Sequence, residues 1–173
     1  MVRIEEEAAD DWWEVEALLD LCFAPGREAL SSYRLRDGVA PIRALCLVAR
    51  DAGPNGDGTL AGAIRNWPVR IGGRKWAILM GPVAVHPTRQ GEGLGAALIL
   101  RALEQAREGG WSRAMLVGDE PYYGRFGFGR LEGVVMPPPT NPERVLGVDL
   151  RPGAWAGVAG EVGRAVPEGV SRK

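Results

Sequence analysis

The sequence has 173 residues, of which 46% are hydrophobic and 25% are charged, and its net charge is −1. This composition is typical of one globular domain, and the charge balance gives no reason to expect a nucleic-acid partner. The longest apolar stretch, around WAILMGPVAV, is about half of the ~20 residues that a membrane-spanning helix needs, and the acidic start lacks a signal-peptide core. We therefore expect a single cytoplasmic domain over residues 1–173 without a membrane span, in which residues 151–173 form a glycine-rich tail that packs on the domain or is partly flexible.

The chain has two cysteines, Cys22 and Cys46, and one histidine. Each cysteine lies in an apolar segment, and the spacing of these three residues does not fit a zinc site. We predict two buried free thiols and no metal site.

The first half of the sequence predicts a strand, two helices and then three strands joined by short turns. Apolar residues recur at helical spacing after Asp10, which is placed to cap the first helix, and Pro25-Gly26 ends that helix. Strands that follow one another through short turns pair antiparallel, so we expect a meander. The predicted elements are Val2–Glu6, Asp10–Phe23, Arg27–Arg36, Ala44–Arg50, Thr59–Ile71 and Lys75–Val85.

The second half predicts a helix, a strand, a helical turn and two further strands. The strand Arg113–Asp119 follows the helix Gly93–Glu108, so it should pair parallel to Lys75–Val85. A helical turn is predicted at PYYGRF, the segment GFGRLEGVVM leads into another strand, and RVLGVDL is the last strand before the tail. The whole order predicts an α/β fold with a mixed sheet flanked by helices.

A glycine and a proline interrupt the strand Lys75–Val85 at its middle. Proline removes a donor from the ladder and glycine weakens a strand, so Gly81-Pro82 marks either a bulge or an edge strand. Since the neighbouring residues are apolar and imply burial on both faces, the bulge is favoured. A bulge leaves the peptide groups from Val83 to Val85 available to something other than a strand.

Three glycines, Gly91, Gly93 and Gly95, lie between that strand and the next helix. Because they lack side chains, a ligand's phosphates can lie against the backbone amides at the helix start. A dinucleotide-binding fold is one alternative, since GEGLGA fits G-x-G-x-x-A. However, five residues separate the strand from the glycines, and Asp119 lies too far downstream to bind the ribose. A Walker P-loop is excluded because no Lys-Ser or Lys-Thr pair follows the glycines.

The strand and the turn together, VAVHPTRQGEGLGAALI, resemble the acetyl-CoA-binding signature of the GNAT acetyltransferases. That signature is Arg/Gln-x-x-Gly-x-Gly/Ala, and here it reads Gln90-x-x-Gly93-x-Gly95. YYGRFGF resembles the family's aromatic-Tyr-x-x-x-Gly-Phe segment, with Tyr123 as its tyrosine. The segments FAPGREALSSYRLRDG and LRPGAWAGVAGEV are similar to those of small, mostly uncharacterised bacterial members. The resemblance covers nearly the whole chain and implies the GNAT fold, a central mixed, mostly antiparallel sheet with two splayed parallel strands.

The resemblance implies that acetyl-CoA is the co-substrate and that no metal is needed. Its pantetheine arm would enter between the splayed strands, where Val83 and Val85 offer unpaired backbone groups. Its pyrophosphate would bind the amides of the glycine turn, helped by the partial positive charge at the helix start. The residues implied to bind acetyl-CoA are Val83, Ala84, Val85, Gln90, Gly91, Glu92, Gly93, Leu94, Gly95, Ala96 and Tyr123.

Tyr123 is the residue that we expect to carry proton chemistry. A phenol with a pKa near ~10 is protonated at neutral pH and can donate to the departing CoA thiolate, whose conjugate acid resembles a cysteine thiol near ~8.5. The alternative interpretation is an aromatic side chain that packs on Phe126 and Phe128.

The group that takes the proton from the acceptor amine is left open by the sequence. Many relatives place a glutamate on the splayed strand, but Trp76–Val85 contains no acid. His86, Asp119, another acid or a relay through water could serve. The family's common asparagine before the tyrosine is also absent, and Gly118-Asp119-Glu120-Pro121 stands there.

The first two helices are implied to cover the acceptor. Their charged residues are expected to form mostly a solvated face: Asp10, Asp11, Glu14, Glu16, Asp20, Arg27, Arg34 and Arg36. If Arg27 or Arg34 points inward, the acceptor should carry a carboxylate or a phosphate. The resemblance thus predicts a monomeric or homodimeric N-acetyltransferase that acts on an amine of a small molecule, a protein N-terminus or a lysine. Two alternatives stay open, a non-catalytic acyl-CoA-binding regulatory module and a nucleotide-binding oxidoreductase.

Overall fold

The computed structural model describes residues 2–23, 31–52 and 58–165, and within these ranges the chain forms four α helices and nine strands. The helices are α1 (Trp12–Cys22), α2 (Ser31–Arg34), α3 (Leu94–Glu108) and α4 (Glu120–Tyr123). The strands are β1 (Val2–Glu6), β2 (Leu47–Asp51), β3 (Leu60–Ile71), β4 (Lys75–Val85), β5 (Arg113–Val117), β6 (Gly129–Arg130), β7 (Val134–Val135), β8 (Val145–Asp149) and β9 (Gly160–Arg164).

The central sheet has the strand order β1-β2-β3-β4-β5-β8-β6. Its pairs are antiparallel except for β4 with β5, where Ile78 pairs with Ala114 and Leu79 with Met115. The predicted mixed sheet, the meander and the parallel pairing after the helix are therefore confirmed. A right-handed strand–helix–strand connection through α3 explains why β5 lies beside β4 and runs in the same direction.

Helices cover the two faces of this sheet, because successive side chains of a strand point to opposite sides. Leu18 and Leu19 of α1 pack on one face, in a cluster with Ala63 and Ala84. Leu98 of α3 packs on the other face, in a second cluster that includes Leu47, Ile64 and Ile78. The strands at the centre are thus buried on both faces, which accounts for their nearly continuous apolar sequence.

Four details of the predicted elements differ from the structure. Val145–Asp149 is not the last strand, because the tail contains β9, which pairs antiparallel with β3 and parallel with β7. The segment GFGRLEGVVM forms two strands of two residues each, β6 on β8 and β7 on β9. Asp10 lies in a 3₁₀ turn, Ala9–Asp11, and Asp11 occupies the N-cap position of α1 without a side-chain hydrogen bond to that helix; its carboxylate accepts the amide of Ala8 at 2.8 Å within the turn. The chain enters β2 through a short 3₁₀ turn at Arg43–Leu45, because the side chain of Asn66 donates to the carbonyl of Leu45 at 2.7 Å.

A bulge interrupts the pairing of β3 with β4, as predicted. Ile64 pairs with Val83 and Asn66 with Met80, so the two residues Gly81 and Pro82 face one residue of β3. The backbone of Gly81 has φ of 111°, which a residue with a Cβ adopts only with strain. The bulge lies just beyond the two pairs that join β4 to β5. In the described chain no further backbone pairing joins these strands, so they separate from the bulge onward.

Both cysteines are free thiols, as predicted, but only Cys46 is buried, whereas Cys22 is half-buried. Burial raises the pKa of Cys46 to about 11, so this thiol stays protonated at neutral pH. Within residues 2–23, 31–52 and 58–165 there is no group of three acidic, cysteine or histidine side chains placed to hold a metal ion. The same ranges contain no helix with the length and apolarity needed to cross a membrane.

Candidate active site

The separation of β4 from β5 opens a cavity of about 390 Å³, which we call the strand gap. Leu79–Val83 of β4 forms one wall, residues 116–119 at the end of β5 form the other, and Tyr122 and Tyr123 of α4 lie between them. A neighbouring cavity of about 600 Å³, the turn cavity, is lined by the glycine turn and the start of α3. Val83, Tyr122 and Tyr123 line both cavities, so the two are contiguous.

The structure brings most of the predicted acetyl-CoA residues together around the turn cavity. Nine of the eleven line it: Val83, Val85, Gln90, Gly91, Gly93, Leu94, Gly95, Ala96 and Tyr123. Two do not. Ala84 is 2% exposed and packs with α1, and Glu92 turns its carboxylate toward Arg89. These two residues can contribute only through their backbone.

The backbone of β4 leaves peptide groups unpaired with β3 at the place where the pantetheine arm is predicted to bind. The amide of His86 donates to Ala61 of β3 at 2.8 Å. Because peptide groups alternate sides along a strand, those of Val85 and Val83 are directed away from β3 and toward the space that β5 leaves. The thiol of Cys22 donates to the carbonyl of Val85 at 3.3 Å, so α1 already contacts one of these groups.

Two glycines of the turn are required by backbone conformation. Gly91 and Gly93 have φ of 88° and 81°, and an added Cβ at either would meet nothing within 4 Å. The constraint is thus the left-handed conformation and not crowding. Gly93 caps α3, a helix of 15 residues, so its first amides face the turn cavity.

An ion-pair cluster holds the turn from outside the cavity. The Arg89 guanidinium donates to the Glu92 carboxylate at 2.9–3.1 Å and to Asp51 of β2 at 2.7 Å. Hydrogen bonds from Arg89 lower the pKa of Glu92, and the bonds from Glu92 and Asp51 raise the pKa of Arg89. The Glu92 carboxylate is therefore paired with Arg89 instead of lining the turn cavity, although the cluster of one guanidinium and two carboxylates keeps a net negative charge.

Tyr123 is packed and lines both cavities. Its ring lies 4.9 Å from the Tyr122 ring and 6.0 Å from Phe128, between ring centroids. A Cβ at Gly118 would come within 2.4 Å of Cε2 of Tyr123, so glycine stands at 118 because the tyrosine ring occupies that space. Burial raises the pKa of the Tyr123 phenol, with smaller contributions from Tyr122 and Asp119 that Arg144 opposes. Aromatic packing and a role at the cavity are compatible here.

The two residues considered as proton acceptors occupy different places. The ring of His86 accepts the Thr88 amide at 3.2 Å and lines neither cavity. Asp119 lines the strand gap, where its exposed carboxylate accepts from Nε of Arg144 at 3.2 Å. Only Asp119, of these two, shares a cavity with Tyr123.

A third cavity of about 540 Å³, the helix cavity, lies between α1 and residues 33–38. It shares Tyr33 and Arg36 with the strand gap, so the two are contiguous. The guanidinium of Arg36 lies 3.7 Å from the centroid of the Tyr33 ring and 4.7 Å from that of Trp67. Stacking of this kind holds an arginine in place.

Arg65 forms the buried wall of the helix cavity and was missed by sequence reasoning. It is 2% exposed, donates to both oxygens of Glu7 and to Glu16, and stacks on Trp12. A charged residue inside the otherwise apolar stretch LAGAIRNWPV was the available signal.

The charged residues of the first helix were expected to face solvent, but three of its acids form ion pairs with arginines of the sheet. Asp11 and Glu14 pair with Arg50 of β2 at 2.8 and 2.7 Å, and Glu16 pairs with Arg65. Arg34 donates to the carbonyl of Pro138 in the loop before β8. Arg27 lies outside the described residues.

Comparison with known proteins places this arrangement in a family. The family model for the acetyltransferase (GNAT) domain matches residues 3–131, which is most of the chain. The protein belongs to the GNAT acetyltransferase family. The N-acetyltransferase YhbS of Escherichia coli K12, itself uncharacterised, is 33% identical over 117 residues, or 66% of this chain. The match spans 65% of the length of that relative.

Solved structures agree with the family. YhbS from Escherichia coli in complex with CoA has a TM-score of 0.77 and 29% identity, covering 94% of this chain and 89% of that one. A GNAT family acetyltransferase from Brucella melitensis in complex with acetyl-CoA has a TM-score of 0.70 and 29% identity, covering 96% and 97%. The predicted family and fold class are confirmed, and the dinucleotide-binding fold considered for the glycine turn is set aside.

Proposed function

We propose that this protein is an N-acetyltransferase that moves the acetyl group of acetyl-CoA directly to an amine. The observation that carries the proposal is that the strand gap and the turn cavity adjoin along β4, since an extended thioester needs space beside β4 and a phosphate site at its end. Family membership and the two relatives solved with CoA or acetyl-CoA support the same co-substrate.

The backbone supplies most of the co-substrate site. The peptide groups of Val83 and Val85 bind the pantetheine arm as an added strand would. The amides at the start of α3 bind the pyrophosphate, and the partial positive charge of a helix N-terminus favours that anion. Direct transfer then needs the acceptor amine beside the thioester, so positioning provides much of the rate.

Tyr123 protonates the departing thiolate. The amine attacks the thioester carbonyl, the carbon–sulfur bond breaks, and the phenol proton passes to sulfur. Burial keeps the pKa of this phenol above its usual value, so the proton is present at neutral pH. The tyrosine recovers its proton from water or from the acceptor.

The acceptor arrives as an ammonium and must lose a proton. At a pKa near ~10.4, deprotonation costs roughly 4–5 kcal/mol at pH 7. Asp119 is the preferred acceptor of that proton, through water, because it lines the strand gap with Tyr123 whereas His86 does not.

The acceptor enters through the helix cavity. This cavity joins the strand gap at Tyr33 and Arg36, on the side that α1 and α2 cover. Its walls carry charged side chains and aromatic rings, which select among amines.

A thermal-shift titration tests the co-substrate. Acetyl-CoA at 100 times its Kd should stabilise the protein by about 2.7 kcal/mol and raise the Tm by several degrees, while NAD, the matched control, should not. Release of CoA is then followed with a thiol reagent across a panel of amines and peptides. Absence of a shift with any CoA species would contradict the proposal. Tight binding with no turnover on any amine would instead favour the non-catalytic module.

A further inference from the structure

Two arginines lie beside the glycine turn, and their surroundings differ. Arg89 is engaged by two carboxylates, those of Glu92 and Asp51, on the outer side of the turn. Arg125 follows α4 and lines the turn cavity itself. Among the described residues that line this cavity, Arg125 carries the only charged side chain.

Arg125 is held in place without being neutralised. Its guanidinium lies 4.4 Å from the centroid of the Tyr122 ring and 5.1 Å from that of Phe126. Its Nε donates to the carbonyl of Tyr122 at 3.3 Å. No salt bridge joins Arg125 to a carboxylate in the described part of the chain. A stacked, fully charged guanidinium with remaining N–H donors is suited to bind a phosphate.

We propose that Arg125 binds the pyrophosphate of CoA from the side opposite the amides of the glycine turn. The proposal rests on acetyl-CoA being the co-substrate. The turn offers only partial charges and the carboxylate of Glu92 is already paired, so Arg125 supplies the full positive charge at this end of the cavity. The pyrophosphate is preferred over the 3′-phosphate because Arg125 shares its cavity with Gln90, Gly91 and Gly93.

Tyr122 links the arginine to the turn. An added Cβ at Gly95 would lie 3.6 Å from the Tyr122 hydroxyl, so this ring spans from the first turn of α3 to the guanidinium of Arg125. The stack fixes the distance between the amides and the arginine. Arg125 is therefore an exposed residue whose guanidinium is stacked beside the turn cavity, where it can reach a bound phosphate.

Calorimetric titrations with CoA and with 3′-dephospho-CoA test the proposal, on the wild type, Arg125→Gln, Arg125→Lys and Arg101→Gln. Arg101 is an exposed arginine on α3 outside the turn cavity, so its variant controls for net charge. Arg125→Gln should weaken both ligands about ten- to hundredfold, Arg125→Lys less, and Arg101→Gln less than about twofold. The loss should shrink at high salt, because salt screens the charge. A thermal melt of each free variant checks that it is folded.

The outcomes distinguish the proposal for Arg125 from the proposal that acetyl-CoA is the co-substrate. Equal losses for both ligands support the pyrophosphate contact. A loss for CoA alone would assign Arg125 to the 3′-phosphate and overturn the pyrophosphate contact. An Arg125→Gln variant that binds both ligands as well as Arg101→Gln does would also overturn it. If the wild type binds neither ligand, the co-substrate proposal fails as well.

Discussion

The co-substrate side and the acceptor side of this molecule are built from different chemistry. The co-substrate side, formed by the strand gap and the turn cavity, offers backbone groups of β4 and α3 and the glycines of the turn, together with aromatic side chains and four charged ones, Arg36, Asp119, Arg125 and Arg144. The acceptor side, formed by the helix cavity, offers five charged and three aromatic side chains: Glu16, Arg34, Arg36, Asp37, Arg65, Trp12, Tyr33 and Trp67. We expect backbone geometry to bind the co-substrate, which family members share, and side chains to select the acceptor.

This comparison predicts that substitutions on the acceptor side leave acetyl-CoA affinity unchanged. The largest effect is expected for Arg65→Ala, which leaves the Glu7 carboxylate buried without its partner. Unfolding by urea should show a loss of about 3–5 kcal/mol. Arg50→Ala is the control, because its ion pairs with Asp11 and Glu14 are more exposed, and it should cost about 1 kcal/mol or less. A fall in acetyl-CoA affinity of folded Arg65→Ala would break the division into two sides.

Tyr123 lines both cavities of the co-substrate side, and as the proposed proton donor its hydroxyl should affect turnover and not binding. Tyr123→Phe should lower kcat about a hundredfold or more while the Kd for acetyl-CoA changes less than about twofold. Tyr122→Phe is the matched control on the adjacent ring and should keep most of its kcat. Steady-state kinetics and a binding titration give both numbers. Unchanged turnover in Tyr123→Phe would remove the tyrosine from the mechanism.

The glycine turn offers a test in which strain is separated from function. Gly93→Ala and Gly153→Ala both place a Cβ at a positive φ, 81° and 72°, with nothing within 4 Å. Each should therefore cost about 1–2 kcal/mol of stability. Only Gly93→Ala should also weaken acetyl-CoA, by about tenfold, because it distorts the amides at the start of α3. Equal affinities in the two variants would show that the turn does not bind the co-substrate.

The smallest expected effect is a pH profile that lacks a falling limb. Because burial raises the pKa of the Tyr123 phenol above that of the unfolded chain, the neutral phenol contributes stability that is complete below about pH 10. That contribution is lost only as pH rises through the folded pKa.

The same raised pKa keeps Tyr123 protonated as the general acid. kcat/KM should therefore rise from pH 6 to about 9, as the acceptor amine loses its proton, and should not decline at any pH under 10. A decline that begins near pH 8 in wild type but not in Tyr123→Phe would contradict this assignment.

The sequence predicted the backbone geometry of the bulge and of the glycine turn, because the determinants of both are local. The glycine at Gly93 indicates a positive φ, and the pair Gly81-Pro82 indicates a bulge, so in both cases the residue type itself predicts the local backbone conformation. The alternation of an apolar helix with strands likewise predicted the parallel pair of β4 and β5.

The acceptor side could not be predicted in the same way, because its contacts join residues far apart in the chain. Arg65 meets Glu7 and Glu16 only after β3, β1 and α1 have packed together. The strand β9 was missed for the same reason, since a glycine-rich segment becomes a strand only by pairing with β3 and β7. Arg125 was not predicted as a site residue, because Tyr123 was the residue of the segment YYGRFGF to which a role was assigned.

The central claim is that acetyl-CoA lies along β4 with its pyrophosphate on the glycine turn, and a crystal structure of the complex with CoA tests it most directly. We expect the pantetheine amides to form hydrogen bonds of about 2.7–3.2 Å with the backbone of Val83 and Val85, and the pyrophosphate to accept from the amides between Gln90 and Ala96. CoA bound in the helix cavity, or a pyrophosphate away from the start of α3, would contradict the account.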